Sequence, residues 1–136
     1  MLDKAVQTAI RPLLVRAARV LCRAGISADA LTWTGFVLGL GAAVAIATGL
    51  FLTGLALLLL SRLMDGLDGA VARATQPTDR GGFLDITLDF VFYASIPLAF
   101  AVADPGANAL AAAVLLASFI GTGSSFLAFA IVAEKR

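Results

Sequence analysis

Four apolar stretches, near residues 31–52, 54–74, 81–103 and 109–132, each have roughly the 20 residues a helix needs to cross a hydrocarbon core. Short polar joints separate them: a turn within 48–53, a connection at 75–80 containing Pro77, and a Pro–Gly turn at 104–108. Backbone polar groups in lipid must pair internally, so segments of this kind fold as a bundle of helices. Composition points the same way. Hydrophobic residues make up 60% of the 136 and charged residues 14%, against about 25% charged in soluble domains. The expected fold class is an all-α integral membrane protein, in which an amphipathic interfacial helix (1–24) precedes a four-crossing domain (25–136).

Residues 1–24 interleave Arg11, Arg16, Arg19 and Arg23 with Leu13, Leu14, Val15, Val20 and Leu21. That pattern suits a helix lying on anionic lipid, with Pro12 at a helix start or kink. The arginines also break any signal-peptide core. Gly25 is expected to end this helix, with Ser27 or Asp29 capping the next. Gly35 and Gly39 form a GxxxG pair, read as close packing inside the bundle. Lys4, the four early arginines, Arg73, Arg80, Lys135 and Arg136 all fall on one side of a four-crossing path. The opposite joints carry no Lys or Arg, so both termini and the acidic ends of the helices are expected on the cytoplasmic side of a cytoplasmic (inner) membrane.

Several chemistries are excluded. The absence of histidine removes a histidine base and histidine-ligated zinc, and the single cysteine, Cys22, allows no intrachain disulfide. No nucleic-acid partner is expected. What stands out is a set of four aspartates in apolar surroundings. Asp65 and Asp68 are spaced i, i+3, and Asp85 and Asp89 are spaced i, i+4, so each pair shares one side of its helix. A short turn between the helices brings the pairs face to face. Four carboxylates facing each other in a membrane repel unless a cation lies between them, and one or two hard divalent ions suit oxygen ligands.

Asp65, Asp68, Gly69 and Ala72 fall within about a 100° arc of a helical wheel, with Arg73 at its edge. Gly81 precedes Asp85 and Asp89 at i, i+4, i+8, while Gly82 lies off that spacing. Small residues beside the acids leave room for a ligand, and an arginine beside a metal centre suits phosphate. The residues alone lead to phosphoryl-type transfer at a membrane surface.

The run Asp65-x-x-Asp68-Gly69-x-x-Ala72-Arg73, followed by Gly81-x-x-x-Asp85-x-x-x-Asp89, resembles the signature of the CDP-alcohol phosphotransferase (CDP-alcohol phosphatidyltransferase) family at all eight positions. The resemblance implies that Asp65, Asp68 and Asp85 are ligands for Mg²⁺ or Mn²⁺. It further implies that Asp89 is the general base and touches a second ion. Gly69, Ala72, Arg73 and Gly81 are implied to line the CDP-alcohol pocket. The run Ser27-Ala-Asp29-Ala-Leu-Thr32 resembles a nucleotide-binding element, with Ala28 where the family has proline. This implies roles for Asp29 and Thr32, and either Thr78 or Asp79 can reach the ligand from the connecting loop.

The implied partners are a CDP-alcohol donor, most often CDP-diacylglycerol, a small alcohol acceptor, the lipid bilayer and a second copy in a homodimer. The implied activity is metal-dependent transfer with release of CMP in phospholipid synthesis. The family has six crossings, so the chain is expected to be a partial bundle without the last two. Two rival readings are a small four-helix cation transporter and an inactive scaffold. Among the other polar groups, Arg62 is expected to pair with Asp65 or snorkel, and Asp79 and Arg80 to be solvated loop charges. Trp33 and Tyr93 are expected at interfaces or between helices, and Ser118, Thr122, Ser124 and Ser125 in bonds between helices.

Overall fold

A computed structural model describes the backbone of residues 2–134 and the side chains of residues 12–133. The charges at Lys4, Arg11, Lys135 and Arg136 lie outside the described side chains. The described residues form five helices: α1 (Leu2–Arg23), α2 (Ala28–Ala47), α3 (Phe51–Ala74), α4 (Asp79–Ala103) and α5 (Pro105–Glu134). No strand occurs among them, and the all-α expectation holds.

Local chemistry sets the boundaries. Gly25, at φ 75°, ends α1 by putting its own N–H on the Cys22 carbonyl and that of Ile26 on the Leu21 carbonyl. Ser27 then caps α2, its hydroxyl accepting from the Ala30 N–H at 3.2 Å. The same glycine device recurs at Gly49, at φ 81°, where the Leu50 N–H reaches back to Ala45 at 2.8 Å. This turn stops α2 at Ala47, short of the expected residue 52, and α3 starts at Phe51. Thr78 caps α4 by accepting from Gly81 N–H at 3.0 Å, so Asp79 and Arg80 form its first turn and are not loop residues. Both are exposed. The stretch 104–108, expected as a turn, is a helix start. Pro105 occupies the first helical position, where no N–H is needed, and Asp104 accepts from Ala107 N–H at 3.1 Å.

Helix α2 packs against α3 and α4, α1 lies along α3, and α5 rests on α4. Glycines bring the backbones together. A Cβ on Gly39 would lie 2.4 Å from Phe92 of α4, and one on Gly35 would lie 3.1 Å from Met64 of α3. The GxxxG pair thus serves packing inside the bundle. Ser61, fully buried, donates its hydroxyl to the Gly35 carbonyl at 2.7 Å and ties α3 to α2. One apolar core (Ala18, Leu31, Leu67, Ala70, Val71) holds α1 onto α3 near the site. A second (Ala43, Ile46, Ala99) closes the other end of α2 and α4.

The helices α2, α4 and α5 are long and apolar enough to span a bilayer. Large apolar side chains such as Leu52, Leu110 and Phe129 stand 84%, 80% and 72% exposed, more than water tolerates over a whole surface. The chain is an integral membrane protein. Helix α3 differs because its second half carries Arg62, Asp65, Asp68 and Arg73. In α5, Ser118, Thr122 and Ser125 do not bond between helices as expected. Each hydroxyl donates to a carbonyl three or four residues back on its own helix.

Candidate functional site

The polar half of α3 and the first half of α4 lie side by side against the start of α2. Asp65, Asp68 and Asp85 each offer a carboxylate oxygen, and these oxygens lie within 4.8 Å of one another. The three span a gradient of exposure, from Asp68 at 5% to the exposed Asp85. Thr32 of α2 donates to Asp68 Oδ2 at 2.7 Å, shorter than its 3.1 Å approach to the Ala28 carbonyl. This fixes the orientation of the most buried acid.

Asp89 lines the same small pocket but has a partner, Arg62, whose Nη1 donates to Asp89 Oδ1 at 3.1 Å. The expected pairing of Arg62 with Asp65 exists at a longer 3.7 Å. Phe92 lies under the guanidinium, 4.1 Å from its Cζ. Tyr93 sits between helices, near Phe119 of α5, with its hydroxyl 3.5 Å from Arg62. Trp33 is half exposed and edge-on to Phe36.

The pocket bounded by Asp65, Asp68, Asp85 and Asp89 has a volume of about 10 Å³, close to the least that holds one water-sized sphere. Its donors are hard carboxylate oxygens. Two ligands bound to one ion at about 2.0–2.6 Å stand at most roughly 4–5 Å apart, so the observed spacing fits a shared divalent cation. The residues therefore suit Mg²⁺ or Mn²⁺.

Above this pocket opens a cleft of about 670 Å³ that shares Thr32, Asp68 and Asp85 with it. Gly69, Ala72 and Arg73 form its α3 wall, and Asp29 and Gly81 face each other across the starts of α2 and α4. Asp29 Oδ1 comes within 3.5 Å of the place a Cβ on Gly81 would occupy. All six residues expected to contact substrate (Asp29, Thr32, Gly69, Ala72, Arg73, Gly81) therefore border one cavity. Thr78 lines it and Asp79 does not, and Gly82 lines it despite its off-face spacing. Two helix N-termini open onto this space, which favours an anion there. Arg73 is exposed and folds back on Gly69, where a Cβ would lie 3.1 Å from Nη1.

Sequence reasoning missed Arg62 as a partner of Asp89, and Ser61 as the residue beneath it. The signal available was weak: Arg62 precedes Asp65 by three positions and so shares its helix face.

A membrane bundle with an acidic pocket beneath an anion-suited cleft is the arrangement expected of a lipid phosphotransferase, and the CDP-alcohol phosphatidyltransferase family matches residues 25–135. The chain belongs to that family, which sets aside the transporter reading. It is 54% identical, over all 136 residues, to the inner membrane protein YnjF of Escherichia coli (strain K12), of which it spans 66%. It is also 50% identical over 68 residues to archaetidylinositol phosphate synthase of Methanothermobacter thermautotrophicus (strain Delta H), a match covering 49% of this chain and 35% of that protein. The chain thus spans less than two thirds of each of these relatives. No solved structure matches it.

Proposed function

We propose that the chain transfers a phospho-alcohol group, the phosphatidyl group of CDP-diacylglycerol in the first instance, to a small acceptor alcohol with release of CMP. The carrying observation is the convergence of Asp65, Asp68 and Asp85 within 4.8 Å at the floor of the cleft. In this reading, residues 1–24 form the interfacial helix and residues 25–136 the catalytic membrane domain. The three aspartates would hold Mg²⁺ or Mn²⁺, and Asp89 would stand beside a second ion. Bound divalent metal supplies charge to stabilise the diphosphate and its leaving group.

The chain's own groups do the rest. Arg73, at the cleft wall, pairs with the donor diphosphate, and the N-termini of α2 and α4 add N–H donors. Gly69, Ala72 and Gly81 leave space for the nucleotide, and Asp29 and Thr32 border it. Asp89 accepts the proton of the acceptor hydroxyl. That oxygen bonds to the phosphorus carrying the alcohol, and the bond from this phosphorus to the bridging oxygen breaks, so CMP leaves with the electron pair. The exposed cleft and the apolar surfaces of α2 and α3 suit a donor whose head group is in water and whose tails are in lipid.

Apart from Arg62 within α3, the described arginines (Arg16, Arg19, Arg23, Arg73 and Arg80) belong to α1 or to the helix ends beside the cleft. The turns at the other end carry none, which supports a cytoplasmic site and cytoplasmic termini. The homodimer is carried over from the family.

The test is CMP release from CDP-diacylglycerol by purified protein in detergent, with Mg²⁺ or Mn²⁺ and with chelator. The acceptor panel spans glycerol 3-phosphate, serine and inositol phosphate, the last suggested by the name of the archaeal relative. Release that requires metal and responds to one acceptor supports the proposal. Metal-dependent CDP binding with no release from any acceptor, CDP-amino-alcohols being tried as donors too, supports the scaffold reading instead.

A further inference from the structure

Arg62 belongs to none of the eight motif positions, yet the fold builds a socket around it. Its Nη1 donates to Asp89 and lies 3.7 Å from Asp65, and its Nη2 lies 3.4 Å from Ser61 Oγ. The guanidinium carbon stands 4.1 Å from the Phe92 ring centre and 5.5 Å from that of Tyr93. Ser61 is itself anchored to the Gly35 carbonyl, so the socket joins α2, α3 and α4. A snorkelling arginine sends its head group into water. This one has a side chain only 28% exposed and a buried Nε with no hydrogen-bond partner.

Placement then decides charge. The pocket has two sides that share Asp65: the Asp65–Asp68–Asp85 side, where Asp68 and Asp85 form no ion pair among the described residues, and the Asp65–Asp89 side, where the guanidinium sits 3.1 Å from Asp89 and 3.7 Å from Asp65. An arginine cannot relieve crowding of positive charge by losing its proton. A dication entering on the Asp89 side meets a fixed positive charge within hydrogen-bond reach of its ligand.

We infer that Arg62 is a built-in cation holding the Asp65–Asp89 side of the pocket, so that the donor-free protein binds one divalent ion, on the Asp65–Asp68–Asp85 side. Arg62 acts through Asp89 and Asp65 as a positioning residue and touches no substrate. The inference rests on the metal reading proposed above, and it confines the second ion of that reading to the donor-bound protein.

The test counts Mn²⁺ bound to the full chain in detergent without nucleotide, by the electron paramagnetic resonance of free and bound ion. Wild type is expected to hold a single, magnetically isolated Mn²⁺. Arg62→Lys, which keeps the charge, is expected to do the same. Arg62→Met, which keeps the length and removes the charge, is expected to take up a second ion and show the spectrum of a coupled pair. A coupled pair in wild type, or a single ion in folded Arg62→Met, overturns the role of Arg62 and leaves the metal reading standing. No bound Mn²⁺ in wild type overturns the metal reading, and this inference with it. A coupled pair in wild type overturns the inference even if Arg62→Met does not fold.

Discussion

Two cavities share Thr32, Asp68 and Asp85, and they are built on opposite principles. The acidic pocket, about 10 Å³, is walled by side chains from the first half of α2, the second half of α3 and the first half and middle of α4. Helix spacing, the Thr32–Asp68 bond and the Arg62 pair set its geometry before any ligand arrives. The cleft above, about 670 Å³, is walled by helix ends, a cap and a connecting segment, with glycine and alanine where side chains would intrude. In the proposed function, chemistry falls to the pocket and recognition to the cleft. A fixed pocket keeps reacting groups aligned, and a roomy cleft suits the bulky donor of the proposed reaction.

If that division holds, changes in the pocket should alter rate and metal binding, and changes in the cleft should alter affinity for donor. Asp89→Asn gives the largest expected effect. It retains the shape and hydrogen bonding of the side chain but cannot accept the proton, so CMP release should fall by about 10²–10⁴-fold. CDP binding measured by calorimetry should change little. Loss of CDP binding in step with rate would mean that Asp89 belongs to recognition and that the two cavities are not functionally separate.

Thr32→Val comes next. It removes the 2.7 Å hydrogen bond that orients Asp68 while keeping a similar volume. Mutation of groups that orient metal ligands typically weakens metal binding by about 10–100-fold. Mn²⁺ titration should show that loss, and Thr32→Ser should recover most of it. Full affinity in the valine variant would show that helix packing alone holds Asp68.

Gly39→Ala tests whether the pocket depends on the close approach of α2 to α4. The added Cβ would lie 2.4 Å from Phe92, which is 3% exposed and cannot swing away. Overpacking of this kind costs about 1–3 kcal/mol. Thermal unfolding in detergent should show that loss, and Mn²⁺ affinity should drop as Phe92 shifts under Arg62. Unchanged unfolding would mean that the bundle can separate these helices without cost.

The same contrast explains what was legible in the sequence. Helical periodicity is regular, so the i, i+3 and i, i+4 spacings of Asp65, Asp68, Asp85 and Asp89 announced a convergent pocket. The four apolar stretches announced the bundle. Helix ends were less legible. The turn at Gly49 and the cap at Asp104 are decided by local hydrogen bonds, and apolar residues continue past both. Arg62 was half legible: its own helix pointed to Asp65, but its shorter bond to Asp89 depends on how α4 packs against α3. The hydroxyls of α5 were misread because a membrane serine can satisfy itself on its own helix as readily as on a neighbour.

Gly69→Ala makes the smallest change in the fold and so separates the two cavities most cleanly. A Cβ here would meet only the far end of Arg73, with Nη1 at 3.1 Å and Nη2 at 3.6 Å. Arg73 is exposed and flexible, so it can move aside, and stability should change by no more than about 0.5 kcal/mol. The guanidinium would then leave the position from which, in the proposed function, it meets a diphosphate, while the acidic pocket below stays as it was. KM for the CDP-alcohol should rise several-fold, with kcat and Mn²⁺ binding close to wild type. A fall in kcat at unchanged KM would place Gly69 and Arg73 with the reacting groups, and the boundary between pocket and cleft would have to be redrawn above them.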